Sequence, residues 1–542
     1  MHLKPRSNRN HFLLSLIMLL FVSLLVTSCD NANQNQNSNN NSQSDTTNTD
    51  TSQTDNTQNN NDTSSTTDTP DVEETVLRIA TQATVNLDPA FVSSDQEVAF
   101  VNAVYDYLVD VDAANRIQPR LAKSWTVSED GMTYTFALEE NVTFHDGSAF
   151  TAEDVAWTFV RLRNPEVGSG AASLYENVVS IEANGDNEVV FTLSGNDPFF
   201  LFDLSDNRAV IVKNGTDDTS DHNGTGPFKV ENISTEDRIE LSANGNYFMD
   251  GKPMLDRLDF IFFADSIAAV DALKGGQVDL VWRMPNALYL SLEPEANIDT
   301  TLVPTNSFIS IRMHSDTEPG NNPQVVQAIK LALDREAMLN AAALGMGTVG
   351  NDTPIGPLYA DYHAPLTMQP DVEQAKTLMA DAGFADGLSL ELYTPDTLGM
   401  PDVAVLVKDQ LSQIGINVDV VTRPENVYYS DEWLSAPFGM TSWGSRPVPQ
   451  FYLDVMLVCE GKWNESKFCN EEFDQLAQTT ATTLDEQERI DAYKRMQEIL
   501  QTESTMIVPY YFAQNAAIRS NFEGFELKAF VGRTDFRGVK QN

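Results

Sequence analysis

The sequence predicts a mixed α/β protein of two lobes, and three observations carry that reading. Residues 76–80 (VLRIA) are a short, mostly apolar run suited to a buried strand, and helical spacing follows at 97–108. Residues 125–144 switch to a period of two, with turn residues at Glu129-Asp130-Gly131 and Asp146-Gly147, which indicates antiparallel hairpins. Beyond Pro304 the pattern enlarges into strands alternating with long helices.

The chain starts with Lys4, Arg6 and Arg9, then runs apolar from Phe12 to Val26, interrupted only by Ser15 and Ser23. That is a signal-peptide hydrophobic region, short of the ~20 residues a spanning helix needs. It ends in Val26-Thr27-Ser28-Cys29, which resembles a bacterial lipobox with Cys29 as the lipidated residue. Residues 30–70 contain no Lys, Arg, Glu, aromatic or branched aliphatic side chain. Such a segment cannot bury enough apolar area to offset chain entropy, so it is expected to be a disordered tether. At ~5–6 Å × √n its typical reach is on the order of 35 Å.

In the body, Val98, Val101, Val104, Tyr105 and Leu108 share one helical side. Thr151 and Asp154 have capping-box spacing ahead of the next helix. Strands are expected at 189–193, 228–230, 239–242, 258–263 and 278–281, with a helix at 267–273. Then come a strand at 308–311, one long helix at 323–344 and a helix at 370–380. A strand at 388–392, a helix at 401–414 and a strand at 416–421 follow. A helix at 484–500 and a strand at 507–512 close the series. No solenoid-length repeat is present.

The 542 residues hold 34 Lys and Arg against 79 Asp and Glu, a formal charge of −45. Phosphate backbones would be repelled, which excludes nucleic acid as a partner. Three cysteines exclude a disulfide scaffold or a multi-cysteine zinc site. Cys459 and Cys469 stand ten apart in a chain expected to be exported, so they are expected to pair. The Gly345-Met-Gly347-Thr-Val-Gly350 motif follows a helix rather than a strand, so it is no dinucleotide loop. Asp110-Val-Asp112 lacks the glycine and glutamate that a calcium loop needs. Without a Walker loop, a GxSxG elbow or an HExxH pair, no enzyme motif stands out, and no metal or cofactor is expected.

Residues 125–158 read WTVSEDGMTYTFALEENVTFHDGSAFTAEDVAWT, which closely resembles the signature of family 5 extracellular solute-binding proteins. These serve dipeptide, oligopeptide and nickel ABC importers. The similarity continues through Leu87-Asp88-Pro89, Gln118 to Ala122, Thr225-Gly226-Pro227, Ala332 to Arg335 and Gly415-Ile416, over about 76–530. The resemblance implies a two-lobed, periplasmic-binding-protein-like α/β fold of the type II, large peptide-binding class, with an inserted small antiparallel subdomain. On this chain it implies a lipoprotein signal peptide at 1–28, a tether at 29–72 and lobe I at 73–303, with the insert at about 113–206. Lobe III would be 304–508, and 509–542 would return to lobe I. Ligand would be enclosed between lobes by hinge closure and passed unaltered to a permease and its ATPase. The expected protein is monomeric, without enzymatic activity, and lipid-anchored outside the cytoplasm. A surface-anchored hydrolase and a ligand-presenting sensory receptor are the alternatives.

One departure bears on the ligand. Peptide-binding relatives place an aspartate shortly after a tryptophan in the second lobe, where it holds the ligand's α-ammonium. Here the stretch is Ser442-Trp443-Gly444-Ser445-Arg446-Pro447, with no acid after Trp443 until Asp454. A guanidinium repels an ammonium but grips a carboxylate or phosphate bidentately. The expectation is an acidic ligand group held by Arg446, with Arg312 as a second contributor and Trp443 as a wall. The competing reading pairs both arginines with structural carboxylates. Thr81, Gln82, Asp352, Tyr428 and Trp433 are further pocket candidates, with ordinary packing as their alternative. Asp88, Asp154, Asp334 and Arg335 read as structural caps and ion pairs.

Overall fold

The computed structural model describes residues 74–542, so the leader, Cys29 and the tether lie outside the described residues. The main sheet has eleven strands among them. In one half, Val76–Thr81 lies parallel to both Arg257–Phe262 and Leu280–Trp282. In the other, Leu388–Pro395 is parallel to Ile416–Arg423 and to Phe438–Trp443. Two long strands join the halves. The first part of Ile298–Met313 pairs with Tyr510–Arg519, and Phe308 to Met313 pairs with Phe438–Trp443. The register shifts between Pro304 and Phe308, where the strand changes partners. Of these strands, the expected segments 308–311 and 507–512 cover only 308–311 and 510–512. Their remainder lacks a single period because each strand faces different partners along its length.

A separate four-stranded sheet runs Ala122–Val127, Thr133–Leu138, Glu188–Leu193, Val178–Ala183. It has its own core of Phe136, Phe159, Phe191 and Phe200. The expected pairing at 142–144 reduces to an isolated bridge between Thr143 and Ala149, and Glu188–Leu193 is the third strand instead. The helix Ala152–Arg163 starts with the capping box of Thr151 and Asp154.

Two helices differ from expectation. Asp95–Val104 ends four residues early, because Tyr105 is extended. Gly224 and Gly226 lie so close to the Val104 carbonyl that a Cβ at either would collide with it. The expected long helix is two, Pro323–Ala332 and Arg335–Ala343. Leu333 and Asp334 are extended, and the Asp334 side chain caps the second helix at the Ala337 N–H. Among the described residues no helix is long and apolar enough to cross a membrane.

Candidate functional site

The strand Phe438–Trp443 leaves the sheet at Trp443, and the next four residues are pinned by their backbone. Tyr452 donates its hydroxyl to the Gly444 carbonyl at 2.6 Å. The Ser445 N–H donates to Ser307 Oγ at 2.8 Å. Tyr359 donates to the Arg446 carbonyl, and Asn115 Nδ2 to the Pro447 carbonyl, each at 2.6 Å. The Arg446 side chain is left exposed, its guanidinium 4.3 Å from the Phe451 ring centroid. It makes no ion pair among the described residues.

A cavity of about 130 Å³ opens beside it. Leu358, Ser445, Arg446 and Pro447 line one side; Asp112, Asn115, Asp206, Lys528, Phe530 and Arg533 line the other. The second set comes from the half built on Val76–Thr81 and from the chain's C-terminal return. The cavity therefore lies between elements that the sequence separates by more than 80 residues, with a largely apolar wall, including Val111, Leu358 and Phe530, onto which several charged groups converge.

Behind this segment stands a buried carboxylate that sequence reasoning missed. Glu465 accepts the indole N–H of Trp433 at 2.8 Å and that of Trp443 at 3.2 Å, and faces Arg312 Nε at 3.5 Å. Arg312 also donates to the carbonyls of Ala436 and Trp433. Its side chain is fully buried, so it does not reach the cavity. The structure thus divides the two arginines: Arg312 has a structural carboxylate, and Arg446 has none among the described residues. Tyr428 is buried against Gly439 and Arg312, and burial pushes its phenol up to about 12. Trp433, Trp443 and Trp463 form a triangle with centroids 6.0–6.2 Å apart. Trp463 and Glu465 both sit on the loop closed by the Cys459–Cys469 disulfide. No pattern singled out Glu465 among so many acids; the cysteine pair around it was the available signal.

Thr81 and Gln82 line a different cleft of about 400 Å³ with Trp282 and Arg283. It sits at the carboxyl ends of the parallel strands, where open α/β sheets bind ligands. Asp352 is removed from both cavities. It is fully buried and takes a two-pronged pair from Arg335 at 2.9 and 2.6 Å, because the charge of each needs the other in the interior. Asp88, which pairs with Arg161, and the caps Asp154 and Asp334 hold structure as expected. No group of three or more potential metal ligands occurs among the described residues.

Residues 116–464 match the model of the bacterial extracellular solute-binding proteins, family 5. Heme-binding protein A of Haemophilus influenzae is 27% identical over 478 residues, covering 80% of this chain and 86% of that protein. Glutathione-binding protein GsiB of Salmonella typhi is 26% identical over 476 residues, covering 82% and 90%. The solved structure of HbpA2 from Haemophilus parasuis superposes with a TM-score of 0.78 at 25% identity, covering 86% of this chain and all of that one.

Proposed function

The chain belongs to family 5 of the bacterial extracellular solute-binding proteins, the non-enzymatic receptors of ABC importers, and from that premise we propose that its solute is a small peptide or comparable polar molecule bearing an acidic group. Arg446 grips that group in the cavity beside Phe451. The observation that carries this reading is the exposed, unpaired guanidinium of Arg446 on a backbone fixed at four consecutive residues. A guanidinium held in place loses less entropy on binding than a free one and offers a planar pair of donors. Heme and glutathione, the ligands in the names of two relatives, both carry carboxylates. Trp443 with Trp433 backs the Arg446 segment, while Thr81 and Gln82, in the separate cleft at the end of the first strand, offer a second contact surface for the same solute.

Binding proceeds by closure of the two halves about the strands Ile298–Met313 and Tyr510–Arg519, with the partner change between Pro304 and Phe308 as the flexing point. Lobe I comprises 73–303 with the insert at 113–206, lobe III 304–508, and 509–542 returns to lobe I. Cys29 carries the lipid that holds this monomeric receptor at the membrane, and residues 29–72 let it turn toward permease and ATPase. The test has two parts. Mass spectrometry of solute released from the purified protein should find an acidic molecule, unmodified. Calorimetry should then show its binding abolished by Arg446→Ala; unchanged affinity removes the assignment.

A further inference from the structure

Resting on that reading, we propose that the acidic group is held from both sides of the cavity, with Lys528 opposite Arg446 as the second half of one split anion subsite. Both residues line the same cavity, yet they belong to different halves of the molecule. Lys528 is 9% exposed, donates to the Val111 carbonyl at 2.7 Å and stands 3.7 Å from Asp110.

Asp110 cannot neutralise it. Arg533 approaches that carboxylate to 2.6 Å and Arg120 to 2.9 Å, while Arg537 stands at 4.0 Å. Arg120 is shared with Asp106, and Arg537 with Asp535. Four cations therefore surround three aspartates, and the cluster carries one positive charge more than its acids. The two nearest arginines take up Asp110, which makes Lys528 its loosely held member. An ammonium has three donors, and the Val111 carbonyl uses one.

The acids at the cavity are already engaged. Asp112 pairs with Arg116 at 2.8 Å and accepts the N–H groups of Ala114 and Arg116. Asp206 pairs with Arg208 at 3.4 Å and accepts its N–H. A chain with a formal charge of −45 thus has a cavity whose uncommitted charges are positive. Burial pushes the Lys528 ammonium down and Asp110 pulls it back, so an incoming anion would relieve a desolvated charge. A carboxylate or phosphate bridging Lys528 and Arg446 would tie the two halves together, whereas a neutral amide at the same place would leave both cations unpaired. Lys528 is therefore a specificity-determining residue.

The experiment uses a randomised tripeptide mixture with free carboxylates and the same mixture as carboxamides, titrated into the full folded protein. Wild type is expected to bind the carboxylate mixture at least tenfold more tightly. Lys528→Met, which keeps the apolar stem, should lose that preference through weaker carboxylate binding alone, and Lys528→Arg should restore it. Thermal melts of each variant separate lost binding from lost fold. If Lys528→Met binds like wild type while Arg446→Met is weakened, the split subsite is overturned and Arg446 acts alone. If Lys528→Met loses both mixtures in proportion, or Lys528→Arg fails to restore the preference in a folded protein, Lys528 is structural. If wild type does not discriminate the mixtures, the acidic-ligand reading falls with it.

Discussion

Trp443 donates its indole N–H to Glu465 across 22 residues of chain, and the same carboxylate holds Trp433 and faces the buried Arg312. Glu465 thus does two things. It orients two rings behind the Arg446 segment, and it compensates the buried charge of Arg312. Glu465→Ala should be costly, by about 3–5 kcal/mol, because it leaves a fully buried guanidinium uncompensated. Glu465→Gln keeps acceptor capacity for an indole and should keep more of the aromatic arrangement. Denaturant melts and the tryptophan emission maximum check both. If Glu465→Ala leaves stability and emission unchanged, the carboxylate does not hold this cluster.

Glu465 and Trp463 lie on the loop that the Cys459–Cys469 bridge closes, and the Cys459 N–H donates to Asp474 in the following helix, Glu471–Thr482. Closing so short a loop restricts the unfolded chain by about 2–3 kcal/mol on the loop-entropy model. Replacing both cysteines by serine should lower stability by roughly that amount. It should also loosen Trp463, so the double variant is expected to show altered tryptophan emission while still folded. Unfolding curves with and without reductant check this; wild type with reductant should approach the serine variant, which itself should not respond.

Lys330 is buried at the end of the helix Glu486–Glu503 and donates to the carbonyls of Leu500 and Gln501. Burial pushes its ammonium down to about 8, from an ordinary value of 10.5. Between those two values the unfolded chain binds the proton and the folded one does not. Stability attributable to Lys330 therefore rises with pH across that window, and is lost as pH falls through about 8. The Lys330→Met variant should lack this slope. Urea melts from pH 7 to 10, compared between wild type and variant, give the difference directly; parallel pH profiles would contradict it.

The sequence carried the element types well wherever one period ruled, as in the 416–421 strand and the capping box at Thr151 and Asp154. It did not show the break between the two helices at Asp334, because the apolar face of Pro323–Ala332 resumes in Arg335–Ala343 after the turn. Likewise Ile298–Met313 reads as one strand only in three dimensions, since its two ends answer to different neighbours. At the proposed site, Arg446 stood out because a cation occupies the place where the family resemblance implies an acid. The role of Arg312 was not legible, because its charge is cancelled by a residue 153 positions later. Asp352 misled for the same reason: a polar residue in a loop suggests a surface, and only the fold reveals that Arg335 had drawn it inside.

Phe199 follows the last strand of the inserted sheet, yet its ring is 8% exposed and packs within the cluster of Trp443, Tyr452 and Tyr493. The Arg489 guanidinium lies 5.5 Å from its centroid, and the neighbouring Asn196 donates to the Thr482 carbonyl. Here a residue of one half fills an apolar site in the other, so separating the halves would expose a phenyl ring at a cost of about 1.5–3 kcal/mol. That favours the joined arrangement even without solute. Phe199→Ala should therefore enlarge the ligand-free protein in solution scattering and, if the halves close on the solute as proposed, weaken solute binding, since that closure would lose part of its apolar gain. The four-stranded insert and the main cores keep their own packing, so the melting temperature should move little. Unchanged dimensions together with a large drop in melting temperature would make Phe199 an ordinary core residue rather than a latch.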